Sequence, residues 1–237
     1  MLEMTSINIF GITILEPVAT LTDILVAAVC FYAFINLRNH PNKKAIYILL
    51  YRYYFLIMGF ATLYGGIIGH GLLYMFSFEW KIPGWILSMI SVGLIERASI
   101  FHAKSFLKKN VGKFFAWFNL VELATLIFIA IYTLKFIFVE AHGAYGFLIV
   151  LSSFELVVYI KTKDKGSKLA LWAVFFAFLA AVSHIAKLSI HKWFNHIDLA
   201  HVFMIIGSLL LFYAVKAMRV HSVEIDVTSK KVKTNIQ

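Results

Sequence analysis

Cysteine is all but missing from this chain of 237 residues: Cys30 is its one thiol, so there is neither an intrachain disulfide framework nor a cysteine cluster for zinc or an iron–sulfur centre. Charge is scarce as well. Only 14% of the residues are Asp, Glu, Lys or Arg while 61% are hydrophobic, and the mean hydropathy is +0.84, which excludes a soluble globular protein. Neither an internal repeat nor a low-complexity segment is visible. Residues 1 to 16 lack a basic start and a small-residue cleavage site, so the first apolar run is expected to stay in the protein. A net charge of +10 would suggest nucleic acid in a soluble chain, but the basic residues here are confined to short segments between apolar runs. No nucleic-acid partner is expected.

Apolar runs fill nearly everything else. Seven of them reach the roughly 20 residues that cross a hydrocarbon core: 17–36, 45–77, 83–106, 114–138, 143–160, 169–190 and 197–217. The expectation is an all-α membrane protein, a seven-transmembrane helix bundle forming one domain over 1–217, with a polar tail at 218–237. Lys and Arg follow the first, third, fifth and seventh runs (Arg38, Lys43 and Lys44; Lys104, Lys108, Lys109 and Lys113; Lys161, Lys163, Lys165 and Lys168; Lys216 and Arg219), whereas the alternate connections are poor in them. Because basic loops are retained on the cytoplasmic side, the N-terminus is expected outside and the C-terminus in the cytoplasm. The setting expected is a bacterial inner membrane or an equivalent cell membrane.

Ionisable groups within a span are costly unless paired or hydrated, so their depth is informative. At 1.5 Å per residue, Asp23, His70, His184, Asp198 and His201 fall within about 10 Å of the outer ends of their spans. Glu16 and His196 sit just above. In a seven-helix bundle with short connections the first and last spans lie adjacent, which gathers the first, second, sixth and seventh on one side. Asp198 and His201 are three apart on one helical face, and His184, Lys187 and His191 form a stripe. His70 follows Gly65, Gly66 and Gly69, small residues that let helices approach closely. Plainer roles exist: Asp198 complementing a helix N-terminus, and His191 and His196 facing headgroups. Deeper lie Arg52, Glu96, Arg97, His102, Glu122 and Glu155, expected as a structural network with Arg97 paired to Glu122 and Arg52 to Glu155.

Two or three histidines with a carboxylate are the ligand set of a catalytic zinc. The expected ligands are His70 and His201, with His184 or Asp198 third. Asp23 and Asp198 are the candidate catalytic carboxylates, Asp23 orienting a ligand or acting as general base. A site near the outer leaflet suits a lipid amide or ester that enters sideways. The seven-span layout, the outside N-terminus, the histidine closing the second span and the histidine-containing run opening the seventh resemble the superfamily of alkaline ceramidases and adiponectin receptors. That resemblance implies an intramembrane zinc amidase fold, or an inactive relative, and carries over to His70 and His201. Gly66 stands where that pattern has a serine, and Ile197 where it has a second seventh-span histidine; the outer half of the third span offers Ser88 and Ser91 rather than an aspartate.

Other readings use the same residues. Haem b could be ligated axially by His70 or His184 with His201, as in membrane electron carriers. A bundle without chemistry could bind lipid or a protein partner within a larger membrane complex, its lysines meeting anionic headgroups. Transport is a further reading. Retinal is disfavoured, since Lys216 lies at the end of the seventh span rather than its middle.

Overall fold

A computed structural model describes residues 5–219. Among them are seven helical segments long and apolar enough to cross a membrane: Pro17–Leu37, Ile46–Gly71, Phe78–Phe106, Lys109–Thr133, Ile137–Thr162, Lys165–Ile185 and His196–Ala217. Their regular α-helices are α1 (Pro17–Leu37), α2 (Ile46–Tyr64), α3 (Ile82–Ala103), α4 (Lys109–Thr133), α5 (Ile137–Ala144), α6 (Ser152–Thr162), α7 (Lys165–Ile185) and α8 (His196–Ala217). Two spans contain a π-helical stretch. Gly65–Gly71 continues α2 as a π-helix, and Tyr145–Leu151 joins α5 to α6 in the same way. All but two residues of the expected tail lie outside the described residues.

Local chemistry sets the boundaries. Pro17 opens α1, where its missing N–H costs nothing. Asp164 accepts the Ser167 N–H to cap α7, and Asn195 with Asp198 forms a reciprocal capping box on α8. Leu134 and Lys163 take left-handed backbone at the ends of α4 and α6. The second span stops at Gly71 rather than 77 because the chain turns into short 3-10 segments there, and the fourth ends at Thr133 rather than 138. Residues Ser6–Ile9 and Ile12–Leu15 form an antiparallel hairpin, β1 and β2, ahead of the first span. Its turn uses positive φ at Phe10 and Gly11, with the Gly11 N–H donated to Asn8.

The first and last spans do pack together: α1 touches α2 and α8, α2 touches α3, and α7 touches α8. The main core joins Val26, Cys30 and Ala33 to Tyr51, Phe55, Ile95, Leu211 and Phe212. Helix α4 stands outermost, burying fully only Asn119 and Ala130 while Phe114, Trp117, Phe128 and Tyr132 face outward.

The expected arginine pairs do not form. Arg97 donates instead to the Ala116 carbonyl, and Arg52 donates to the Phe34 carbonyl while its guanidinium lies 4.3 Å from the Phe34 ring centre. Their carboxylates are taken by histidine. Glu122 lies 2.8 Å from His142 Nδ1, and Glu155 lies 3.1 Å from His102 Nδ1. Glu155 also accepts Tyr51 Oη at 2.8 Å and Ser167 Oγ at 2.7 Å, so one buried carboxylate ties α2, α3, α6 and α7. Two flexible cations lost to two imidazoles because an imidazole is short, rigid and cheaper to desolvate than a guanidinium.

Candidate functional site

At the other end of the bundle from the basic connections, a largely apolar cavity of about 550 Å³ opens between the spans. Met58, Val92, Phe147, Met204 and Leu211 are among its walls, and Asp23, His70, His184 and His201 reach it. Three of these four come together. Asp23, buried on α1, presents Oδ2 at 3.9 Å from His70 Nε2 and Oδ1 at 3.4 Å from His201 Nε2. The two imidazole centres are 6.2 Å apart, nearly perpendicular.

The tautomers follow from the outer partners. Thr22 Oγ1 lies 2.9 Å from the Val18 carbonyl, to which it donates its single proton. With its proton placed there it accepts from a protonated His201 Nδ1, 2.9 Å away. Glu16 accepts from His70 Nδ1 at 2.8 Å. That bond holds the Glu16 carboxyl below its usual range, against the upward push of burial. With both Nδ1 atoms donating, each neutral ring turns a bare Nε2 toward the same carboxylate. This is the orientation in which histidines hold a metal: one nitrogen fixed by an oxygen partner, the other free to ligate.

Local backbone explains how the second span reaches α1. A Cβ built on Gly66 would lie 2.8 Å from Asp23 Cβ and 3.1 Å from the Thr20 carbonyl, and one on Gly71 would lie 3.1 Å from Thr20 Oγ1. Gly69, half of the small-residue spacing seen in sequence, has open space instead. The close approach thus runs through Gly66 and Gly71. Where the resemblance has a serine, this chain has no room for any side chain, because Asp23 fills the place. The π-helical winding of Gly65–Gly71 carries His70 to the cavity, and such segments recur at functional sites.

The remaining candidates are placed differently. His184 lines the cavity, but its Nε2 lies 3.0 Å from Glu140 Oε1 and its ring centre 5.2 Å from that of His196, the two rings tilted. Asp198 accepts the Asn195 N–H at 2.7 Å in the capping box, the plainer of its two roles. Neither joins His70 and His201. Asp23 stands where a third ligand was sought, and Glu16 and Thr22, which the sequence reading had not connected to the site, orient the two imidazoles. Glu16 was visible only by its depth; Thr22 carried no signal, since threonine is common in apolar helices.

Beyond this cavity, Glu96, Glu122 and His142 offer ligand atoms that all lie within 4.8 Å of one another. Residues 18–220 match a family of unknown function, DUF6962. No curated protein and no solved structure matches the chain.

Proposed function

Since the chain belongs to that family of unknown function, its own side chains must guide the reading, and we propose a multi-pass membrane protein, N-terminus outside, that acts on a lipid amide or ester as a zinc hydrolase or an inactive relative of one. The observation that carries this is that the Nε2 atoms of His70 and His201 both face Asp23 at the wall of an apolar cavity. Two histidines and a carboxylate suit zinc, whose tetrahedral ligands at 2.0–2.1 Å stand about 3.3 Å from each other. The 3.4 Å contact already has that spacing, while the 3.9 Å contact asks His70 to move inward. A bound zinc would polarise a carbonyl and acidify water.

The chain supplies the rest. Glu16 and Thr22 hold the imidazoles in the ligating tautomer, and the apolar walls take an acyl chain and keep water from it. His184 with Glu140, on the same cavity, can pass a proton to a leaving group. The haem alternative draws less support, because the Asp23 carboxylate occupies the space between the two rings that a porphyrin would need. A lipid-binding subunit without chemistry is supported by the cavity alone, and the experiment separates it.

Protein purified in mild detergent with zinc supplied is expected to retain zinc and to release fatty acid from an N-acyl or ester lipid, read by elemental analysis and mass spectrometry. His201→Ala should lose both while keeping its helical circular dichroism. Zinc retained without turnover marks the inactive relative. Wild-type protein that holds no zinc but co-purifies with lipid would overturn the hydrolase and leave the binding subunit.

A further inference from the structure

We propose that Glu96, Glu122 and His142 form a second, separate site for a divalent transition-metal cation, buried among the third, fourth and fifth spans. The argument begins with His142, which is fully buried on α5. Its Nε2 lies 2.9 Å from the Met89 carbonyl, an acceptor only, so Nε2 carries a proton and the neutral ring presents its lone pair at Nδ1. Around that lone pair stand acceptors alone: Glu122 Oε1 at 2.8 Å and Oε2 at 3.0 Å, and Glu96 Oε1 at 3.8 Å.

A positive charge among them would neutralise the group. A proton on Nδ1 would satisfy Glu122 only. Glu96 is completely buried, and its Oε1, aimed into the group, has no hydrogen-bond partner. An orphaned carboxylate oxygen in a span is among the costliest features a membrane protein can keep. A dication offsets both carboxylates at once and gives Oε1 its missing partner.

The surroundings are those of a metal site. The Met89 carbonyl fixes the imidazole, and Asn119 Nδ2 donates to the other Glu96 oxygen at 2.9 Å and thereby orients the carboxylate. Gly146, in the second π-helical segment, makes room: a Cβ there would lie 2.7 Å from Glu96 Oε1 and clash with Val92 Cγ1. One nitrogen and carboxylate oxygens suit Zn²⁺, Mn²⁺ or Fe²⁺ rather than a soft cation. Val92 and Gly143, neighbours of the group in α3 and α5, line the apolar cavity.

The site is tested with Co²⁺, whose visible spectrum reports coordination, in a His70→Ala/His201→Ala background so that the outer site contributes nothing. One equivalent of cobalt should bind with a ligand-field spectrum, and Glu96→Gln or His142→Gln added to that background should abolish it. Asn119→Ala keeps all three ligands and should weaken binding at least about tenfold. No cobalt spectrum in the background protein, or one that survives Glu96→Gln or His142→Gln in protein with unchanged helicity, overturns the proposal. Zinc hydrolysis failing at the outer site would leave this result untouched, and the reverse also holds.

Discussion

At Gly66 the space for one methyl group decides the outer site. The neighbouring α1 backbone and Asp23 leave no room for a Cβ, so Gly66→Ala must push α1 away from the second span. Overpacking of this kind costs about 1–3 kcal/mol. The expected outcome is a bundle that still folds, with a lowered melting temperature in detergent and zinc retention reduced toward that of His201→Ala. Gly69→Ala is the control, since open space surrounds it. Melting and zinc retention unchanged in Gly66→Ala would mean that the close approach does not position Asp23. Much of this residue-scale picture was legible beforehand: His70, His201 and Asp23 were marked by depth, and depth sufficed because ionisable groups are so rare in a span. The choice between Asp23 and Asp198 was not legible. It depended on Asn195 capturing the Asp198 carboxylate in a local capping box, and on which side of α1 met the glycines.

Among the elements, the inner half of the bundle depends on Glu155. Tyr51, Ser167 and His102 reach this carboxylate from three other spans, and removing it would take a hydrogen-bond or ion-pair contact from each of these buried groups. Glu155→Ala is therefore expected to destabilise the fold by about 3–5 kcal/mol, measured by chemical denaturation in detergent, while leaving outer-site zinc unaffected in the folded fraction. A loss under 1 kcal/mol would show that water replaces the carboxylate. The helices themselves were readable in sequence because seven apolar runs of sufficient length admit little else. Their ends were not, where a left-handed residue at Leu134 or a turn after Gly71 cuts the helix inside an apolar run. The ionic pairing was misjudged for a related reason. Depth put Arg97 beside Glu122, but azimuth around each helix decided the partner.

For the whole molecule, short connections make successive spans antiparallel, and the Lys and Arg that follow alternate spans collect at one end. A reporter fused after Gln237 is expected to read cytoplasmic, and one exposed outside the cell would reverse the orientation. The π-helical segments bear on more than local geometry. Each carries one residue beyond what the α-helical repeat needs, and one residue is about 100° of rotation. Within the second span, Tyr51 and Phe55 stay in the core on one side of the Gly65–Gly71 segment while His70 still meets the cavity at its far end. In the fifth span, His142 and Glu155 face two separate buried groups from opposite sides of Tyr145–Leu151. These segments are phase shifters: the halves of each span answer to different packing registers, so the outer chemistry and the inner scaffold can be altered in sequence without one dictating the angular setting of the other.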